Sequence, residues 1–342
     1  MQPTVLIAIL NWGLGHSTRS IPIIDSFLLK KYVVHIASDG EALTFLKKEY
    51  PKLIFHNLPG YNISYNYNSI VLNVIISSFS IFNAIYKEKA AINSIVQKIK
   101  PDLIISDNRY GARSSTIKSV LITHQLNIKL NNVLLAKWGT GFIRYLIRKF
   151  DEIWIPDFSG ISRLSGELSA VNASEKFKFI GPLSRFNPAK SAKKYDIAVV
   201  LSGPEPQRSI FEKIILAQLN SFDKKVIVIR GKVKEQCSYA LNDNVEVKNY
   251  LLSQELNEVI CQSDIIISRS GYSTIMDLAV LGKKAILVPT PGQTEQEYLA
   301  KYLKKKRFYY SCCQNDFDLK KSLEKSKEYT GVKLNINSII PI

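Results

Sequence analysis

The chain has 342 residues, too many for one ordinary hydrophobic core and enough for two domains of common size. Its apolar fraction of 46 % and charged fraction of 22 % exclude a disordered chain. Its net charge of +17 favours anionic partners, namely nucleotide phosphates, nucleic acid or an anionic lipid surface, although solvated surface lysine accounts for much of it.

The first expected element is a short apolar strand at 4–10, with no basic leader or small-residue cleavage site ahead of it, so no signal peptide is expected. A helical period follows at 16–30, then a strand at 33–38, a helix at 41–49, a strand at 53–58 and a long helix at 69–100. Strands at 102–106, 118–124 and 151–156 complete the first half. A Pro-, Ser- and Lys-rich linker at 182–194 leads to a second half of the same kind, with strands at 197–202, 226–230, 264–268 and 285–289. Its helices are expected at 207–219, 253–262, 273–281 and 295–304. Strands alternating with helices predict parallel sheets covered on both faces. The expected fold is therefore α/β, with two Rossmann-like, doubly wound domains at 1–182 and 195–330 facing a cleft. Ligands of such sheets bind beyond the carboxyl ends of the strands.

Four cysteines, Cys237, Cys261, Cys312 and Cys313, and four scattered histidines, His16, His35, His56 and His124, suit neither a disulfide framework nor a zinc site. A reduced, metal-free, cytoplasmic protein is expected. The apolar run at 69–85 is too short and too polar to span a membrane, and reads as a buried or membrane-resting helix. The stretch 137–149 mixes aromatic and basic residues as interfacial helices do, so peripheral attachment to the inner face of the plasma membrane is a second expectation.

Chemistry gathers at the strand ends. After the first strand, the run from Asn11 to Arg19 contains Gly13, Gly15 and His16; the glycines admit close approach of a ligand, and His16 opens a helix whose free N–H groups suit an anion. A tight turn with His16 as a cap is the plain alternative. A dinucleotide reading is partial, because Thr18 stands where a third glycine belongs. The strand at 264–268 runs into Arg269-Ser270-Gly271-Tyr272-Ser273-Thr274, where Gly271 permits close approach and the following N–H groups could cradle a diphosphate. One turn on, Asp277 could meet a ribose diol. The strand at 285–289 leads to Gln293, Gln296 and Glu297, groups that hydrogen-bond sugar hydroxyls, or that simply cap a helix.

The run from Asp264 to Tyr298 resembles the nucleotide-sugar signature of the MurG-like glycosyltransferase family 28 in order and spacing. Gly13-Leu14-Gly15-His16, His124-Gln125-Leu126-Asn127 and Gly181-Pro182-Leu183-Ser184-Arg185 resemble other segments of that family, so the likeness touches both halves. The resemblance implies a GT-B fold, a UDP-sugar as co-substrate, an inverting reaction and neither cofactor nor metal. It places Arg185, Ser202, Gly203 and the turn from Ser270 to Thr274 at the diphosphate, the Leu251 backbone at the base, Asp277 at the ribose, and Gln293, Gln296 and Glu297 at the sugar. It places Gly13, Gly15, Asn108, Tyr110 and Gln125 at the acceptor, a glycan or lipid-linked molecule. His16 is the first choice for the general base, with a reference pKa near neutrality, and Asp107 and His124 are the alternatives. Asp107-Asn108-Arg109-Tyr110-Gly111 departs from the family's glycine-rich acceptor loop, and Pro204 and Pro206 depart from its phosphate loop, so donor sugar and acceptor stay open. A nucleotide-sugar hydrolase, an NAD-dependent oxidoreductase and a non-catalytic nucleotide-sugar-binding subunit are the rival readings; no nucleic-acid-binding module is recognisable.

Overall fold

The structure, a computed structural model, describes residues 2–61, 70–129, 132–232, 238–332 and 340–341, with 70–80 as backbone. The first half runs β1 (Thr4–Ile9), α1 (Leu14–Leu29), β2 (Val33–Ser38), α2 (Gly40–Glu49), β3 (Ile54–Asn57), α3 (Ile70–Ile99), β4 (Leu103–Asp107), β5 (Ser119–Ile122), α4 (Val133–Ile147), β6 (Glu152–Ile155) and β7 (Phe177–Phe179). The second half runs β8 (Tyr195–Val200), α5 (Gln207–Leu219), β9 (Val226–Ile229), β10 (Ser238–Asn242), β11 (Val245–Lys248), α6 (Ser253–Cys261), β12 (Ser263–Ser268), α7 (Tyr272–Val280), β13 (Lys284–Leu287), α8 (Thr294–Lys305), β14 (Tyr310–Ser311) and α9 (Leu319–Ser326).

Each half builds one seven-stranded sheet, ordered β3-β2-β1-β4-β5-β6-β7 and β10-β11-β9-β8-β12-β13-β14. All pairings are parallel except β10 with β11. Alternation along β1 shows why helices cover both faces: Val5, Ile7 and Ile9 pack with Ile21, Ile24 and Phe27 of α1, while Leu6 and Ala8 pack with Ile92 of α3. The second sheet divides the same way, with Ile197 and Val199 against Phe211 and Ile215 of α5, and Ala198 and Ile266 against Ile275 of α7 and Leu299 of α8.

In both sheets the strand order reverses once, between β1 and β4 and between β8 and β12. A crevice opens at such a switch point because successive connections leave to opposite faces. The loops there are the glycine run before α1 with Asp107 at the end of β4, and Ser202–Gly203 with the turn before α7.

Elements anticipated from periodicity are found with ends moved by one or two residues. Among the elements named above, β7, β10, β11, β14 and α9 were not anticipated, and α4 was anticipated only over the aromatic-basic stretch 137–149. Helix α4 starts ahead of the aromatic-basic stretch, where the Asn132 side chain accepts from the N–H groups of Leu134 (3.0 Å) and Leu135 (3.1 Å). Strands β7, β10, β11 and β14 are short, and α9 carries little apolar surface. Cys237 lies outside the described residues. Of the apolar stretch 69–85, residue 69 and the side chains of 70–80 do too; Phe82 is exposed. Among the described residues no helix is long and apolar enough to cross a membrane.

Candidate active site

Helix α1 begins without a side-chain cap behind Gly13, whose φ of 69° is the left-handed conformation that glycine takes at no steric cost. His16 and Arg19 stand one turn apart and so share a face. That face meets Asp107, which is fully buried at the end of β4. Arg19 donates to Asp107 through Nε at 2.8 Å and also through its second terminal nitrogen, a two-pronged pairing. Ser20 Oγ adds a donor at 3.2 Å, and His16 Nδ1 lies 3.0 Å from the other carboxylate oxygen. Burial alone would raise the Asp107 pKa, but Arg19 and His16 outweigh it and hold the carboxyl well below its usual range. His16 is lowered, first by burial and then by Arg19, against the opposing pull of Asp107; it is neutral near pH 7. Its Nε2 makes no hydrogen bond among the described residues.

His124, after β5, joins the same cluster. Arg19 approaches its Nδ1 to 2.8 Å, and its Nε2 lies 3.1 Å from Glu295 Oε1 in the first turn of α8. The imidazole stacks on the Tyr272 ring with centroids 3.7 Å apart, while the Tyr272 hydroxyl donates to the Pro156 carbonyl. Ser273 Oγ donates to the Gly15 carbonyl at 2.8 Å. The first turns of α7 and α8 therefore close on the glycine loop and the histidines of the other half. A Cβ on Gly15 would lie 3.0 Å from Ser273 Oγ, which explains the glycine.

On the second sheet, Gly271 precedes α7 with no side-chain cap, so the N–H groups of Tyr272, Ser273 and Thr274 begin a helix uncapped. One turn on, Asp277 accepts from Ser184 Oγ at 2.6 Å. Burial pushes its carboxyl up to about 6, with Arg185 and Ser184 opposing. Ser202 and Gly203 lie exposed beyond β8, Gly203 at φ 100° beside the buried Thr290 hydroxyl.

Several expected donor residues stand elsewhere than on an open wall. Arg185 donates to Ser253 Oγ at 3.0 Å and packs on the rings of Phe45 and Phe186, between α2 and α6. Gln296 spends both ends of its amide locally, accepting from the Thr290 N–H at 2.9 Å and donating to Gln293 at 2.5 Å. Glu297 accepts from the Gly292 N–H at 2.9 Å. These three side chains shape the loop before α8, and the carboxylate of that turn that reaches the cleft is Glu295. The Ser270 hydroxyl donates to the Gln296 carbonyl at 2.8 Å, tying the two loops together, and the Leu251 side chain is buried in the core beneath. Among the expected acceptor residues, Asn108 takes a left-handed φ of 53° and has a buried amide oxygen without a partner among the described residues. Tyr110 is half-buried beside Arg19 and Asp107, and Gln125 follows His124 with its N–H on Thr123 Oγ1. Among the described residues no three His, Cys, Asp or Glu side chains converge as metal ligands.

Sequence reasoning passed over Arg19, Glu295 and the stacking of Tyr272. Only Arg19 left a signal: an arginine on the buried face of an amphipathic helix, one turn from a histidine, needs a carboxylate partner.

Comparison with known proteins points to glycosyltransferases. Residues 198–329 match the glycosyltransferase family 28 C-terminal domain, and residues 4–142 match a domain described as glycosyl transferase family 1. A relative from Rickettsia bellii, UDP-N-acetylglucosamine--N-acetylmuramyl-(pentapeptide) pyrophosphoryl-undecaprenol N-acetylglucosamine transferase, is 21 % identical over 91 % of this chain and 86 % of its own. An uncharacterized glycosyltransferase of Methanosarcina mazei is 22 % identical over 86 % of this chain and 81 % of its own. The crystal structure of Acinetobacter baumannii MurG superposes with a TM-score of 0.58 at 13 % identity, over 96 % of this chain and 92 % of that one, which shows the shared GT-B fold. With the signature turn before α7 and two parallel-sheet domains meeting at their switch points, the chain is similar to the MurG-like glycosyltransferases, and its residues 198–329 carry the family 28 C-terminal domain.

Proposed function

We propose that the chain moves a sugar from a UDP-sugar to a hydroxyl of a lipid-linked or envelope glycan acceptor, with inversion at the anomeric carbon. The observation that carries this reading is the contact of Ser273 with the Gly15 carbonyl, which sets the tip of α7 opposite His16. A diphosphate held at that tip by the N–H groups of Tyr272, Ser273 and Thr274 would present its sugar to the first half of the chain. His16 Nε2 takes the acceptor proton while the acceptor oxygen attacks the anomeric carbon; the bond to the β-phosphate oxygen breaks and its electron pair leaves with UDP. The helix tip stabilises that growing charge, and loss of one such preorganised donor typically costs about 3 kcal/mol of barrier. Arg185 adds to it if donor binding draws it from Ser253. Asp277 takes the ribose hydroxyls. Asp107 orients His16 and steadies its imidazolium rather than acting as the base, because both its oxygens are engaged. This chemistry calls for no metal.

The printed name of the Rickettsia relative, with its UDP-linked donor and undecaprenol-linked acceptor, supports the donor and acceptor classes. The surface supports a membrane-bound acceptor too: Val133, Leu134, Trp138 and Tyr145 of α4 and Phe82 and Tyr86 of α3 are exposed, beside Lys137, Arg144, Arg148 and Lys149. Flotation with anionic vesicles at low salt, lost at high salt, is the expected result there; no binding at either salt removes the membrane from the reading.

A thermal-shift screen of UDP-sugars tests the donor. A ligand at a hundred times its Kd adds about 2.7 kcal/mol. A shift with one or a few UDP-sugars is expected; a shift with NAD and none with any UDP-sugar would overturn the reading. Sugar released at equal rates with and without acceptor would make water the acceptor instead.

A further inference from the structure

We propose that Arg19 is the positioning residue of this site: one buried guanidinium sets the tautomer of His124 and keeps a second proton off His16. The inference rests on the reading of His16 as the base and adds what keeps that base ready.

An arginine side chain only donates hydrogen bonds. The nitrogen 2.8 Å from His124 Nδ1 therefore forces Nδ1 to carry the lone pair. The single ring proton of His124 must then sit on Nε2, where Glu295 Oε1 accepts it at 3.1 Å. A doubly protonated His124 has no acceptor to offer Arg19. The neutral ring of His124 is thus held in one tautomer, with its proton aimed across the cleft at α8.

The other end of the guanidinium acts on His16. Its second terminal nitrogen is 2.9 Å from His16 Nδ1, the atom that also faces Asp107 Oδ1 at 3.0 Å. That guanidinium nitrogen already donates to Asp107 Oδ1, so its approach to Nδ1 is a close contact and not a second bond; the base role requires the Nδ1 proton to go to Asp107, which leaves the Nε2 lone pair facing the cleft. A second proton on the ring would set two cations side by side, so Arg19 opposes it. Without Arg19, the buried Asp107 has only His16 to neutralise it, and His16 would take up a proton and lose its lone pair. The ionisable groups facing the pair are Arg19 on α1, Asp107 and Tyr110 after β4, His124 after β5, Tyr272 on α7 and Glu295 on α8. Among them Arg19 alone lies within 3 Å of both imidazoles and of the carboxylate. The fork reaches three partners at once, which a lysine ammonium on a single stem does not do.

Ring-15N-labelled histidine distinguishes the two neutral tautomers and the imidazolium, and the four histidines of this chain make the spectrum tractable. In the wild-type full chain at pH 7, His124 is expected as the Nε2–H form and His16 as neutral. Arg19→Lys keeps a cation for Asp107 but loses the fork, and His124 should become a tautomer mixture. Arg19→Met should leave His16 protonated at pH 7 and move the acid limb of kcat/KM upward by about one pH unit or more. Arg19→Lys decides the tautomer question alone should Arg19→Met not fold. An unchanged Nε2–H signal from His124 in Arg19→Lys, or an unchanged His16 titration in folded Arg19→Met, overturns the proposal. His16→Gln separates the two ideas: full turnover in that variant would sink the base assignment, while the His124 tautomer would still report on Arg19.

Discussion

The two walls of the cleft are built on different chemical plans. The first half contributes side chains: Arg19, Asp107, His16 and His124 form one hydrogen-bonded cluster, nearly all of it buried. The second half contributes main chain: an uncapped helix tip at Tyr272–Thr274, an exposed glycine loop at Ser202–Gly203 and a loop before α8 whose side chains bond to one another. A wall made of backbone dipoles is preorganised by the fold and tolerates side-chain change. A wall made of buried charges fails as a unit when one member is removed. Under the proposed mechanism, proton transfer and charge stabilisation fall on opposite sides, each in the material that suits it.

The largest expected effect falls on the charged wall. Asp107→Asn leaves Arg19 buried without its anion and should cost about 3–5 kcal/mol of stability, read by chemical denaturation. In whatever fraction folds, turnover should fall roughly a hundredfold or more, because His16 loses the group that sets its tautomer. A mild effect on both would mean that the cluster is not coupled.

Two carboxylates interrupt the second wall: Glu295, turned to His124, and Asp277, one turn into α7. With the Asp277 carboxyl pushed up to about 6, donor affinity should weaken as pH falls through 6, because the protonated form no longer accepts two ribose hydroxyls. The sign for stability is the reverse. The folded carboxyl holds its proton more tightly than the unfolded one, so this group's contribution is present at low pH and is lost as pH rises toward 6. Asp277→Asn should bind donor about tenfold more weakly and abolish that pH dependence, as calorimetric titration can show.

Smaller effects mark the seam between the walls. Gly15→Ala places a Cβ 3.0 Å from Ser273 Oγ and should cost about 1 kcal/mol. Ser273→Ala alone removes one hydrogen bond, also about 1 kcal/mol. The double variant should lose less than the sum, since the carbon beneath Oγ stands at an ordinary 3.8 Å. Strict additivity in a double-mutant cycle would mean that the two residues do not meet.

The same division explains what was legible in the sequence. The main-chain wall announces itself locally: an apolar strand, then Ser270 and Gly271, then a helix, all within a dozen residues. Both sheets and the turn before α7 could be read from such local patterns. The charged wall is assembled from a distance. Arg19 meets Asp107 88 residues away and His124 105 residues away, pairings that no local period encodes. His16 was visible because it stands in the glycine loop; that Asp107 is its orienting partner became visible only with β1 beside β4. Gln296 and Glu297 read as sugar ligands by type, yet their local bonds hold a loop, while Glu295, which looks like a first-turn acid, reaches across to His124. The hairpin of β10 and β11 and the polar helix α9 escaped because short elements with little apolar surface carry almost no periodic signal.

Parallel measurement of donor affinity and of turnover in His16→Gln bears most directly on the division of labour between the two walls. UDP-sugar should bind this variant with an unchanged Kd, since the proposed donor site is on the main-chain wall, while transfer to acceptor falls at least about a hundredfold. Undiminished turnover, or a loss of donor binding as large as the loss of rate, would contradict it.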